Sequence, residues 1–305
     1  MAAQLVLQFG KPATALRPDG GGGIVLEMQV PHVAGPAIEV IASLEGAERS
    51  GPAPGALVLT TGSTLAGAIV RPVKGVLDAL SLDVYRDLLA LTEGWHVCRI
   101  WNYVPDINGE TTGLENYRRF NLGRWQAYRD AFRDDFPTHL PAASAVGIDD
   151  PSLVTVFLAS REPVRMVENP QQVPAWRYPE LYGPKPPGFA RGAILENGGP
   201  RDSWVSGTAS IKGHESLGVG SVETQLAITL DNIRLVHGAL GVPSLESADG
   251  CRHSAKIYLR NGTDWQRLAP RLAAAGLSQA TVLEADICRK ELDLEIEVTT
   301  RQAAA

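Results

Sequence analysis

Apolar residues come in short clusters through the first hundred positions, most of them closed by glycine or proline. Residues 5–9, 24–30, 38–44, 57–61 and 97–103 follow this pattern, which predicts β-strands. Residues 80–91 carry apolar side chains at helical intervals. In 114–136, Tyr117, Phe120, Trp125, Tyr128 and Phe132 fall near the same period with charged residues between them, so both stretches predict helices. Gly123 is a weak point in the second. Residues 141–153 and the proline-rich 168–188 read as loops. Residues 189–195 and 203–211 read as strands. Val222, Leu226, Leu230, Ile233, His237 and Leu240 then step along one helix face, and Gly241 supplies the cap. A strand at 253–259, a helix at 265–275 and a strand at 280–285 follow. Last, Leu292, Leu294, Ile296 and Val298 alternate with Asp293, Glu295 and Glu297, which predicts a strand with one buried face. The sum is an α+β or mixed α/β fold with sheets packed on helices.

Composition adds mainly exclusions. The chain has 305 residues, 44% hydrophobic and 20% charged, with a net charge of -6. That length suits one large domain or two small ones, and the composition rules out wholesale disorder. The acidic balance argues against a nucleic-acid partner. No apolar run reaches the ~18 residues of a membrane span, and the start lacks a signal-peptide pattern, so a cytoplasmic protein is expected. Cys98, Cys251 and Cys288 form no CxxC pair and read as reduced thiols. The six histidines form no HxxxH or HExxH, so no metal is expected. No GxGxxG or Walker loop points to a nucleotide cofactor, and Gly20 to Gly23 reads as a turn between two short strands.

Three segments are more specific. The first runs Trp101-Asn102-Tyr103-Val104-Pro105-Asp106-Ile107-Asn108, then Glu115-Asn116-Tyr117-Arg118-Arg119-Phe120-Asn121-Leu122-Gly123-Arg124. The second is Gly188-Phe189-Ala190-Arg191, then Trp204-Val205-Ser206-Gly207-Thr208-Ala209-Ser210-Ile211 and Gly213-His214-Glu215-Ser216. The third runs from Ala285 through Asp286-Ile287-Cys288-Arg289-Lys290-Glu291 to Glu297. In this order they resemble the chorismatase family, the chorismate-cleaving enzymes of secondary metabolism, over about residues 95–298. Gly183-Pro184, the 203–210 strand, the 225–241 helix with Asn232, and Leu294-Glu295-Ile296-Glu297 also look like the reactive-intermediate (enamine/imine) deaminase fold. Together the resemblances imply a divergent N-terminal subdomain over 1–150, a deaminase-fold-like subdomain over 151–305, and an active site shared between them. Fold likeness alone does not establish chemistry.

Chorismate carries two carboxylates, and a planar anion pairs bidentately with a guanidinium. Arg124 and Arg191 are the arginines inside the family-like motifs, and Arg289 is a third candidate by its likeness to the carboxylate-binding arginine of the deaminase fold. Tyr117 lies two turns before Arg124 and is either a substrate contact or a core tyrosine. Cleaving an enol ether begins with protonation of its methylene carbon, which a carboxyl with a raised pKa can perform. The resemblance gives Glu295 that role; alternation alone reads it as part of a solvated strand face. Gly207 and Cys288 match the family members that make 3-hydroxybenzoate, whereas hydrolytic members have alanine-like residues there. Left to themselves they read as a bulge and a small core filler. His214 and Glu215 face the substrate or shape a turn.

The implied reaction is chorismate to 3-hydroxybenzoate and pyruvate. It consumes no water and needs no cofactor. The alternatives are a hydrolytic chorismatase, giving a dihydroxycyclohexadiene carboxylate and pyruvate, and an imine deaminase or ligand-binding protein of the related fold. A chorismate mutase or a 4-hydroxybenzoate-forming lyase is a weaker possibility.

Overall fold

A computed structural model describes residues 2–196, 202–247 and 250–302. Among the described residues are three larger sheets, two two-stranded ribbons and four α-helices: α1 (Leu77–Leu91), α2 (Asn116–Phe132), α3 (Val222–Leu240) and α4 (Trp265–Ala274). One sheet has six strands in the order Ala142–Ile148, His96–Pro105, Ser152–Ser160, Thr64–Pro72, Ala56–Thr60 and Glu48–Ser50. Another has seven, in the order Val164–Val167, Gly192–Leu195, Asp202–Thr208, Leu294–Gln302, Cys251–Leu259, Thr281–Glu284 and His32–Ala34. A four-stranded sheet is built from Ala15–Pro18, Ile24–Glu27, Ala3–Gln8 and Ile38–Leu44.

The two large sheets share one wiring. In each, an antiparallel pair leads to a helix and a strand, and a second helix crosses over to a parallel strand. A last strand then slots antiparallel into the middle. The parallel pairs are His96–Pro105 with Ala142–Ile148, joined through α2, and Cys251–Leu259 with Thr281–Glu284, joined through α4. A parallel pair needs such a crossover, because a tight turn can only reverse the chain. The inserted strands are Ser152–Ser160 and Leu294–Gln302.

Each large sheet buries one face under its own helices. α1 and α2 cover Ile69, Ile100, Val104 and Phe157, whereas α3 and α4 cover Val205, Ile257, Ile296 and Val298. The opposite faces of all three sheets meet in one central core. Leu5, Leu7 and Leu26 pack there with Trp101, Tyr103 and Val156, and with Trp204, Tyr258 and Leu283. Among the described residues no helix is long and apolar enough to cross a membrane.

The mixed α/β class and the placement of helices on sheets match the sequence expectation. α3 keeps its expected face, with Gly241 left-handed at its cap. Cys98, Cys251 and Cys288 are free thiols. Four expectations are corrected. The supposed loop 141–153 holds the strand Ala142–Ile148, buried along its whole length. Its small residues sit between covered faces, so no alternation marks it. The C-terminal strand is buried on both faces, since Leu294, Ile296 and Val298 pack under the helices while Glu295 and Glu297 point to the interior. The second helix stops at Phe132 and gives way to a 3-10 turn over Arg133–His139, which contains Pro137. The 203–211 strand breaks at a register shift between Val205 and Thr208.

Gly123 sits where α2 meets α1. A Cβ there would lie 2.1 Å from the Asp78 carbonyl oxygen and 2.1 Å from Ser81 Oγ. The glycine costs helix propensity but lets the two helices touch.

Candidate active site

A cavity of about 520 Å³ opens between the two helix-covered sheets. α2 contributes Tyr117 and Arg124, and the strand beneath it contributes Ala143, Ser144 and Ala145. Gly207 and Ala209 come from the other sheet, Glu295 from its central strand, and Cys288 and Arg289 from the loop before that strand. The proline-rich segment and the residues after it close the cavity with Tyr178, Tyr182, Phe189 and Arg191. Tyr117, Arg124, Arg191, Gly207, Cys288, Arg289 and Glu295, all picked from sequence, therefore share one wall system. His214 and Glu215 do not line it: His214 meets the Tyr182 ring edge-on, with 5.7 Å between centroids, and Glu215 is exposed. A second cavity, about 780 Å³, lies beside Trp95, Phe132 and Met166 and contains none of these residues.

Two glutamates on the C-terminal strand behave oppositely. They sit two residues apart and so face the same side. Glu295 is 4% exposed, and its Oε1 has no hydrogen-bond partner among the described residues. Burial pushes its carboxyl up to about 8; the Glu297 charge adds to this, while Arg99 and Arg191 oppose it. The group is thus a carboxylic acid at neutral pH. Burial alone would raise Glu297 as well, but Lys256 and Arg99 outweigh it and hold that carboxyl below its usual range. Lys256 Nζ lies 2.9 Å from Glu297 Oε1, and Arg99 Nη2 donates to Oε2 at 2.8 Å. Trp101 Nε1 and Ser144 Oγ donate to the same carboxylate at 2.7 and 2.5 Å.

Two arginines face the cavity without a firm anionic partner. Arg124 is buried, donates to Asn121 Oδ1 at 2.6 Å, and has no ion pair with a carboxylate among the described residues. Arg191 donates to Tyr178 Oη at 2.7 Å, and the nearest Glu168 oxygen is 4.0 Å from its Nε. Burial raises Glu168 to about 7 against the pull of Arg191, so it is a weak counter-ion. A buried guanidinium in this state favours an incoming anion. Arg289 is held differently: it packs 3.9 Å from the Tyr182 ring centroid and donates to Ser216 Oγ and the His214 carbonyl.

Gly207 lies at the strand break and its amide donates to Ser144 Oγ at 2.9 Å. A Cβ on Gly207 would lie 1.9 Å from Glu295 Oε1, so the missing side chain is the space that the acid occupies. Burial pushes the Cys288 thiol up to about 12, so it is neutral. Burial also raises Tyr117. Among the described residues, no three of His, Cys, Asp and Glu are grouped to hold a metal.

Ser144, Glu297, Arg99 and Lys256 escaped the sequence reading. No alternation in residues 141–153 marks Ser144, and alternation alone reads Glu297 as one more charge on a wet face. The available signal is the pair of glutamates at i and i+2 alternating with Leu294, Ile296 and Val298.

Residues 43–159 match the family model described as chorismatase FkbO/Hyg5-like, N-terminal. A chorismatase of Streptomyces rapamycinicus is 37% identical over 267 residues, which cover 83% of this chain and 79% of that one. A 3-hydroxybenzoate synthase of Streptomyces hygroscopicus is 35% identical over 213 residues, 66% of this chain and 62% of the relative. A crystal structure of a chorismatase superposes with a TM-score of 0.86 at 28% identity, covering 98% of this chain and 92% of that one.

Proposed function

The chain belongs to the chorismatase family, and from that premise we propose that it cleaves chorismate to 3-hydroxybenzoate and pyruvate. The observation that carries this reading is the neutral, buried Glu295 carboxyl in the same cavity as two weakly paired arginines, Arg124 and Arg191. The arginines receive the two substrate carboxylates as charge-assisted pairs. Tyr117 borders the same space and offers a hydroxyl.

Glu295 donates its proton to the methylene carbon of the enolpyruvyl ether, which becomes the methyl group of pyruvate. The neighbouring ring hydroxyl oxygen captures the oxocarbenium carbon and releases its own proton, giving a cyclic ketal. Loss of the hydrogen on the ether-bearing ring carbon then breaks the bond between the adjacent ring carbon and the captured oxygen and aromatises the ring. The hemiketal left behind collapses to pyruvate and the phenol. Of the two protons released, one returns to Glu295 and one goes to the phenol oxygen. The atoms of chorismate equal those of the two products, so no water or redox equivalent enters. Glu295 ends the cycle reprotonated.

Gly207 and Cys288 support the aromatic branch over hydrolysis, as does the likeness to a relative named 3-hydroxybenzoate synthase. As a neutral thiol, Cys288 serves this branch by donating a hydrogen bond or filling space that water would take. The test is incubation of the purified protein with chorismate and chromatography of the products. Pyruvate with 3-hydroxybenzoate is expected. Pyruvate with the non-aromatic diol would transfer the chain to the hydrolytic branch, and no pyruvate would end the assignment.

A further inference from the structure

The Glu297 carboxylate does not line the cavity, yet among the described residues it is the most heavily tied buried acid. Lys256, Arg99, Trp101 and Ser144 all reach its two oxygens, and Lys256 also reaches Glu39 Oε2 at 2.6 Å. The network spans three sheets: Arg99, Trp101 and Ser144 lie in the six-stranded sheet, Lys256 and Glu297 in the seven-stranded one, and Glu39, reached through Lys256, in the four-stranded one. Ser144 passes the connection on, since its hydroxyl receives the Gly207 amide beside the Glu295 carboxyl.

We propose that Glu297 is a positioning residue for the proton donor: its fixed negative charge keeps Glu295 protonated, and its grip on Ser144 holds the Gly207 amide beside that acid. This rests on the acid role given to Glu295 above. Two like charges cannot both be carried on one buried strand face at this spacing without large cost. Glu297 has the cations and donors, so Glu295 keeps the proton. The other charged or titratable groups acting on Glu295 or influenced by it are Arg99, Arg191, Cys288 and Tyr117. Those around Glu297 are Lys256, Arg99, Glu39, Tyr103 and Tyr258. With Glu297 neutral, Arg99 would lose its ion pair and pull Glu295 toward ionisation, while Lys256 would keep Glu39.

The experiment compares Glu297→Gln with Lys256→Met, which removes a cation instead. In the substrate-free protein, difference infrared spectra follow the protonated carboxyl band of Glu295, assigned by its loss in Glu295→Gln. Glu297→Gln should lose that band at lower pH than the wild type, and Lys256→Met at higher pH. The alkaline limb of pyruvate release should move in the same two directions. A shift of about one pH unit appears as about a tenfold change in rate above both limbs, while the rates converge at low pH. A bands-and-limbs pattern that stays put in both variants, or a Glu297→Gln loss uniform across pH, overturns the proposal. Should Glu297→Gln fail to fold, the direction of the Lys256→Met shift decides. The substrate-free spectra separate this from the functional reading: an immobile band refutes the positioning role, and absent pyruvate in the wild type refutes the chorismate reaction.

Discussion

Glu295 and Glu297 show how far two identical side chains can diverge. Burial raises both, and only Glu297 has cations close enough to reverse the effect. Replacing the acid by its neutral isostere, Glu295→Gln, should cut pyruvate release by about 10²–10⁴ while the fold persists. Wild-type turnover in this variant would remove Glu295 from the chemistry. The same substitution has a stability signature. The Glu295 carboxyl ionises near pH 8 in the folded chain against 4.5 ordinarily. The folded state therefore holds a proton that the unfolded state has already released. Its contribution is full below the ordinary carboxylate range and is lost as pH rises through about 8. Glu295→Gln should flatten that decline, which urea midpoints across pH would read. Arg124→Ala and Arg191→Ala should each lower kcat/KM by on the order of 2–5 kcal/mol, because a buried substrate carboxylate loses its partner. Unchanged kinetics in both would shift attention to Arg289. These three positions were legible because motifs carry them. Glu297 was not, because alternation cannot tell an interior polar face from a wet one.

At the level of elements, one irregularity shapes the cavity. The strand Asp202–Thr208 loses register between Val205 and Thr208, and Gly207 stands in the gap with the Glu295 carboxyl against it. Gly207→Ala must turn that carboxyl aside, since a 1.9 Å approach is impossible. Combined with Cys288→Ala, it should lower the ratio of 3-hydroxybenzoate to pyruvate and raise the diol. An unchanged ratio in the double variant would show that this pair does not set the product. The α1–α2 crossing obeys a similar constraint. Gly123→Ala pushes a methyl into the α1 backbone, and such overpacking typically costs about 1–3 kcal/mol. Because α2 carries Tyr117 and Arg124, the variant should lose both stability and substrate affinity; a variant as stable as the wild type would contradict the contact. The sequence exposed Gly123 as a helix weakness, but only the crossing shows its purpose.

Across the whole molecule, one topology is used twice, and the cavity lies where the two copies meet. The inner faces of both large sheets need a third wall, which the four-stranded sheet provides through Leu5, Leu7, Ile24 and Leu26. His32–Ala34 binds this region further by pairing with the edge of the seven-stranded sheet. Deleting residues 2–45 should therefore expose the central core and abolish cooperative folding, at roughly 25 cal/mol for each Å² of apolar surface uncovered. A truncated chain with a sharp thermal transition would show that the two large sheets stand alone.

The sequence by itself determined the α3 face, the C-terminal strand, the mixed α/β class and the three motifs. These are local signals: a period, a cap, a run of residues. Only the tertiary structure revealed Thr64–Pro72 and Ser152–Ser160, and it turned the stretch around Ala142–Ile148 from loop to strand. Strands covered on both faces lose the polar alternation by which a strand is recognised. The Glu297 network was hidden for a related reason. Its members stand at positions 39, 99, 101, 144, 256 and 297, and nothing in the neighbourhood of any one of them names the others. Strand pairing across three sheets brings them together, and only burial makes their charges decide which glutamate keeps its proton.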